Sequence, residues 1–312
     1  MHKLLILDTD ARQYKTLIEQ RMIGRLAIAT AADATSARHF LEMSDIILGR
    51  PDLVAQILDH APRLRWVQST FAGVDALMAP DLPTGYLLTG IKGVFGPLMS
   101  EYVLAQIVNR ERNLIDAYTL QRQHVWQQQP YRGLSGLTIG IVGLGSIGRH
   151  VAKTAHHFGM RVLGMKRSPA SVDHVERIFL PHQGPEFLPQ VDYLVLILPA
   201  TTATHHFIAR KELELMKRNA VLINVGRGCT VAQDDLTTAL RERIINGAIL
   251  DVFEEEPLSS DSPLWDLPNV TITPHQAAFS FPEQIATIFC RNYKLFCKGR
   301  PLQHQIDFAR GY

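Results

Sequence analysis

The sequence is short of several things that mark whole classes of protein. It has three cysteines in 312 residues, Cys229, Cys290 and Cys297. An odd number without metal-ligand spacing fits reduced thiols and argues against a disulfide framework or a zinc cluster. No apolar run approaches the length of a bilayer-spanning helix, and the one in MHKLLILDTD is too short for the core of a secretory signal. A soluble, cytoplasmic protein is expected. Net charge is only +2, with no basic run or acidic block to suggest nucleic acid or a membrane surface as partner. Internal repeats and low-complexity segments are lacking too.

What is present is an alternation. Strand-like runs at Leu4–Leu7, Leu26–Thr30, Asp45–Leu48, Arg65–Ser69 and Tyr86–Ile91 are separated by helical patterns around Gln13–Met22 and Thr35–Met43. Such βα units predict a parallel sheet with helices on both faces, and residues 1–95 read as a first α/β domain. GVFGP, residues 93–97, marks the crossover into a second domain, and Met99–Ile115 then carries a helical apolar pattern. Tyr118–Ser135 is rich in glutamine around an isolated Trp126; it reads as an arm reaching a second subunit or as a loop on its own domain. A last helical run, Pro282–Lys298, with Ile285, Phe289, Tyr293 and Phe296 near one stripe, is placed to return to the first domain.

The second domain is organised around LTIGIVGLGSIG, residues 137–148. Thr138–Val142 is a buried strand by composition, and Gly143, Gly145 and Gly148 follow at the G-x-G-x-x-G spacing. The first glycine permits the tight turn, the second lets a pyrophosphate approach the backbone, and the third lets the next helix pack on the strand. The anion would sit on that helix's N-terminus, at Ser146 and Ile147. Val151, Ala155 and Phe158 continue at helical spacing to a capping Gly159, and Arg161–Met165 starts another strand. Strand, turn, helix, strand is the context that a dinucleotide site requires.

Further strands at Tyr193–Leu198, Val221–Val225, Ala248–Val252 and Val270–Thr273 end in PATTAT, GRG, FEEEP and PHQAA. Ligands of open α/β sheets bind outside the carboxyl ends of strands, so the topology gathers these segments on one edge. Arg227 there offers a planar fork to a carboxylate. His275 titrates near physiological pH and suits proton transfer. Glu256 would support the imidazolium, whereas Glu254 and Glu255 read as a solvated acidic loop. With hydride from a reduced nicotinamide, these three residues make a carbonyl reduction.

The chain resembles the D-isomer-specific 2-hydroxy-acid dehydrogenases, and within them the glyoxylate/hydroxypyruvate reductase branch. The similarity runs through FAGVD at 71–75, MSEY at 99–102, GLTIGIVGLGSIGRHVA, NVGRG, DVFEEEPL and TPHQAA. Before Arg65 it is architectural only. The resemblance implies two doubly wound parallel-sheet domains: a flavodoxin-like substrate domain over 1–95, an inserted Rossmann domain over 96–280, and a C-terminal helix over 281–312 that returns to the first. It carries the catalytic roles onto Arg227, Glu256 and His275, and implies that the N–H groups of Ala72, Gly73 and Val74 hold the substrate carboxylate. Pro199, Ala200 and Thr204 would border the cofactor, with Val225, Gly226 and Asp251 near the nicotinamide. It implies a homodimer and closure of one domain on the other. The competing class is a cofactor-sensing regulator, as among corepressors that resemble this family.

Dinucleotide specificity is read after the second strand of the fold, where NAD enzymes place an acid on the ribose 2′-OH. Lys166, Arg167 and Ser168 stand there instead and suit a 2′-phosphate, so NADP(H) is expected over NAD(H); the alternative is cations that merely face water. The pairs His156-His157 and His205-His206 lack ligand partners at suitable spacing and are not read as metal sites. Phe71 could wall the pocket or sit in the core, Arg50 could touch substrate or be a surface residue, and Gln276 stands where an apolar residue is common. Cys229 reads as a small residue beside the GRG turn. The identity of the 2-keto acid is left open.

Overall fold

The computed structural model describes residues 1–22, 26–309 and 311. It divides into two compact units, one formed by Met1–Val94 with Ser280–Tyr312 and the other by Phe95–Phe279.

The first unit carries β1 (His2–Leu7), α1 (Ala11–Arg21), β2 (Leu26–Ala31), α2 (Ala34–Ala37), β3 (Ile46–Gly49), α3 (Pro51–Ala55), β4 (Trp66–Ser69) and β5 (Leu87–Thr89). The strands form one all-parallel sheet in the order β2-β1-β3-β4-β5. That is the flavodoxin-like doubly wound order. Leu5, Leu7, Ile47, Val67 and Leu88 alternate onto one face and pack in one cluster. On β4 the alternate residue, Trp66, stacks on Phe289 with ring centroids 5.2 Å apart. The helical pattern expected over Thr35–Met43 is a single α-turn followed by 3-10 backbone over Arg38–Met43.

The second unit continues with α4 (Phe95–Glu111), α5 (Leu114–Arg122), β6 (Thr138–Val142), α6 (Ser146–His157), β7 (Arg161–Met165), β8 (Arg177–Phe179), α7 (Gly184–Phe187), β9 (Tyr193–Leu196), α8 (Arg210–Leu215), β10 (Val221–Asn224), α9 (Gln233–Arg241), β11 (Gly247–Leu250) and β12 (Val270–Ile272). The seven strands run parallel in the order β12-β11-β10-β9-β6-β7-β8, so the chain reverses direction between β6 and β9. Strand residues alternate between two cores. Ile139, Tyr193, Val195 and Ile223 meet Val103 and Ile107 of α4 and Val151 of α6, while Leu194, Leu196, Leu222 and Leu250 meet Leu213 of α8 and Leu236 of α9. Full burial of each such side chain contributes about 1.5–3 kcal/mol, which is why these strands read as apolar runs.

The helix expected over Met99–Ile115 is two helices. Asn113, at φ 51°, separates α4 from α5; asparagine tolerates that left-handed backbone better than most residues. α10 (Pro282–Phe296) belongs to the first unit and packs against α1, and its Ile285, Phe289 and Tyr293 are buried. Arg310 and Tyr312, within the range assigned to the C-terminal segment, lie outside the described residues.

Candidate active site

The loops after β10, β11 and β12 emerge from neighbouring parallel strands, and their glycines let them approach more closely than side chains would permit. A Cβ on Gly226 would stand 2.8 Å from the Leu198 backbone nitrogen and oxygen, and one on Gly228 only 1.8 Å from the Phe253 carbonyl carbon. The GRG turn is therefore threaded between two backbones, with Arg227 fixed in the middle. Its carbonyl accepts hydrogen bonds from Asn224 Nδ2 at 3.0 Å and Thr230 Oγ1 at 2.6 Å, and its Nη1 donates to Gly226 O at 2.7 Å.

Glu256 follows β11 and spends its two oxygens on different partners. Oε1 accepts from the Phe253 N–H at 3.0 Å and Oε2 lies 2.7 Å from His275 Nδ1. The hydrogen bond that His275 donates to Glu256 raises the His275 pKa above its ordinary 6.5; burial and the Arg227 charge oppose this, and the Glu256 and Asp251 charges add to it. Burial pushes Glu256 upward, but the hydrogen bonds from His275 and Phe253 and the charges of His275 and Arg227 outweigh it, leaving its carboxyl below the ordinary 4.5. Half of the His275 side chain is exposed, and Nδ1 is taken, so Nε2 is the ring nitrogen left for a substrate.

His275 has φ 51°, in the left-handed region. The loop is wound around Asp251, which is 2% exposed. Its carboxylate accepts from Thr273 Oγ1 at 2.5 Å and from the Gln276 and Ala277 N–H groups at 2.9 and 3.0 Å, and its carbonyl accepts from the His275 N–H at 2.8 Å. Three bonds to a charged acceptor, about 1.5–3 kcal/mol each, exceed the roughly 1–3 kcal/mol cost of the strained backbone. Thr273 was passed over at the level of sequence although it stands inside TPHQAA. Glu254 is also more than a solvated acid: its Oε1 lies 2.8 Å from His206 Nε2 and accepts from the Gln233 N–H at 3.2 Å.

Across the switch point the three glycines differ as the fingerprint requires. Gly143 has φ 102° and would place a Cβ 2.3 Å from Ile197 O; Gly148 would place one 2.1 Å from Gly143 O; a Cβ on Gly145 would meet nothing within 4 Å. Gly145 and Ser146 are exposed at the N-terminus of α6, where N–H groups and the helix dipole favour an anion. The backbone thus fits a dinucleotide pyrophosphate. Lys166, Arg167 and Ser168 follow β7; Lys166 Nζ donates to Ala170 O at 3.3 Å, and Arg167 and Ser168 are exposed. Thr204 Oγ1 donates to Pro199 O at 2.6 Å and shapes the loop after β9 that includes Ala200.

In the first unit, the turn after β4 presents Ala72, Gly73 and Val74, whose N–H groups meet no acceptor among the described residues. Phe71 is 42% exposed and is not a core residue. Arg50 stacks over its ring, 5.5 Å from the centroid, while donating from Nε and Nη2 to Asp52 at 3.1 and 2.9 Å.

Residues 104–277 match the profile of the D-isomer specific 2-hydroxyacid dehydrogenase NAD binding domain. The chain belongs to that family and is an NAD(P)-dependent oxidoreductase acting on the CH–OH group of 2-hydroxy acids. It is 35% identical over 258 residues to a glyoxylate reductase of Thermococcus gammatolerans, an alignment covering 78% of this chain and 76% of the relative. Among solved structures, a family member from Aeromonas salmonicida subsp. salmonicida A449 superposes with a TM-score of 0.95 at 42% identity, covering 98% and 99% of the two chains. An NADPH-dependent glyoxylate/hydroxypyruvate reductase from Sinorhizobium meliloti, in complex with NADP and sulfate, does so with a TM-score of 0.88 at 28% identity over the whole of both chains.

Proposed function

We propose that the enzyme reduces a small 2-keto acid of the glyoxylate or hydroxypyruvate kind to the D-2-hydroxy acid, with NADPH preferred over NADH. The observation that carries this reading is the His275–Glu256 pair, 2.7 Å apart, with the Arg227 charge acting on both. Arg227 orients the substrate's carboxylate and polarises its carbonyl. His275 gives the proton on Nε2 to the carbonyl oxygen, and Glu256 stabilises the imidazolium that donates it. The Ala72, Gly73 and Val74 N–H groups suit the carboxylate.

When bound, the reduced dinucleotide supplies the hydride to the carbonyl carbon. Gly143, Gly145, Ser146, Ile147 and Gly148 would hold its pyrophosphate and Lys166, Arg167 and Ser168 its 2′-phosphate. Pro199, Ala200, Thr204, Val225, Gly226 and Asp251 would border the remainder. The S. meliloti reductase, which is NADPH-dependent, supports the same preference.

The test is loss of nicotinamide absorbance with glyoxylate, hydroxypyruvate, pyruvate and longer 2-keto acids, each run with NADPH and with NADH. We expect kcat/KM to be greatest with glyoxylate and hydroxypyruvate. NADPH should exceed NADH by about tenfold, equivalent to ~1.4 kcal/mol. A preference for NADH removes the 2′-phosphate assignment, and NADPH binding without turnover of any acid leaves a cofactor-sensing regulator instead.

A further inference from the structure

Behind His275 runs a chain of hydrogen bonds that the reaction as described does not use, and we propose that Tyr102 is a positioning residue for the proton donor, acting through Thr273 and Asp251. This rests on the reading of His275 as that donor.

Tyr102 lies on α4, and its hydroxyl stands 2.6 Å from Thr273 Oγ1. A threonine hydroxyl has one hydrogen to give, and Thr273 gives it to Asp251 Oδ1 at 2.5 Å. Tyr102 must therefore be the donor in its own bond, and the chain has a fixed direction: Tyr102 to Thr273 to Asp251. Asp251 in turn accepts from the N–H groups of Gln276 and Ala277, immediately beyond the histidine, and through its carbonyl from the N–H of His275 itself.

The loop that holds the imidazole in an unfavourable backbone conformation is thus hung on one buried carboxylate. The outermost anchor of that carboxylate is a tyrosine on a 17-residue helix whose Val103 and Ile107 are fully buried. Burial and the Asp251 charge raise the Tyr102 pKa, against hydrogen bonds with Thr273 and Gln106. The phenol accordingly keeps its proton, and with it the donor role, through the pH range in which a histidine titrates. Without that anchor the loop gains freedom, the Glu256 bond that raises the His275 pKa loosens, and the ring's Nε2 is held less well toward the carbonyl.

The experiment compares Tyr102→Phe, Thr273→Val, Thr273→Ser and the double variant Tyr102→Phe/Thr273→Val with wild type and with His275→Asn. kcat, KM for NADPH, the pH profile of kcat/KM for glyoxylate reduction, and Tm are measured for each. The groups acting on His275 are Glu256, Arg227 and Asp251, and none is altered. Tyr102→Phe should lower kcat about tenfold, as a small misplacement of a reacting group does, while KM for NADPH stays within about twofold. The alkaline limb of its profile should move to lower pH. Thr273→Val should do the same, the double variant should be no worse than Thr273→Val alone, and Thr273→Ser should restore wild-type values.

A wild-type kcat and pH profile in Tyr102→Phe, with or without a lower Tm, reduces the bond to a structural one and overturns the proposal. If that variant does not fold, the contrast between Thr273→Val and Thr273→Ser decides by the same measures. Full turnover in His275→Asn would instead overthrow the proton-donor reading, and the positioning role with it; loss of turnover there beside an unaffected Tyr102→Phe sinks the positioning role alone.

Discussion

At the scale of the residue, the Glu256–His275 pair fixes the sign of the pH dependence. With His275 as the proton donor proposed above, reduction needs the imidazolium, so kcat/KM should be highest at low pH and fall as pH rises through the His275 pKa, which lies above the ordinary 6.5. In Glu256→Gln the largest cause of that elevation is gone, and the fall should begin at lower pH; an unmoved limb would show that Glu256 does not set it. The same pair contributes to stability in a window with two edges. The His275 contribution is complete below about pH 6.5 and is lost as pH rises through the raised value. The Glu256 contribution is present above about pH 4.5 and is lost as pH falls through the lowered one.

Arg227, Glu256 and His275 could be singled out as candidates in the sequence because each lies in a short, unusual loop that follows an apolar strand, and the structure brings Glu256 and His275 to 2.7 Å. Tyr102 and Thr273 were not. Both stand inside motifs of the sequence, MSEY and TPHQAA, but the link between them is a bond across 171 positions of chain, which periodicity does not report.

At the scale of the element, the glycine turn separates binding from folding. Gly145 has φ −74° and open space where a Cβ would go, so Gly145→Ala should fold with an unchanged Tm yet crowd the pyrophosphate and raise KM for NADPH by about tenfold or more. Gly148→Ala would drive a methyl into the Gly143 carbonyl and should lower Tm by roughly 5 °C or more. Thermal melts beside NADPH titrations check both; equal losses of Tm would refute the division. This turn was legible because its pattern is local. β8 was missed because it has three residues, one of them the exposed Arg177, and is a strand only by its pairing with β7. The break at Asn113 was masked by apolar residues that continue at helical spacing into α5, where Leu114 and Ile115 turn out to be exposed.

At the scale of the whole molecule, the feature that asks for a partner is α5, which has no buried residue. The excursion is closed at its neck by Arg132 paired with Glu111, by Asn113 Nδ2 donating to Pro130 O at 3.0 Å, and by the Arg112 guanidinium 4.2 Å from the Tyr131 centroid. Beyond the neck it presents Ile115, Tyr118, Val125 and Trp126, the last 98% exposed. A nine-residue helix is marginal in water without a surface to pack on. Its single acid and single arginine, Asp116 and Arg122, leave it electrically balanced and suited to an identical helix across a twofold axis. We propose this arm as the place where the homodimer implied by the family resemblance would form. Ile115→Asp with Trp126→Asp should sediment as a monomer where the parent sediments as a dimer, and a dimer in both would move the interface elsewhere.

The discontinuity of the first unit bears on how the polypeptide is made. Trp66 stacks on Phe289, and the whole of the second unit lies between them in the chain. At bacterial or eukaryotic translation speeds that stretch takes roughly 10–40 s to emerge. Through that interval the nascent amino-terminal sheet lacks the ring that covers its indole, and the second unit, contiguous in the message, is synthesised meanwhile.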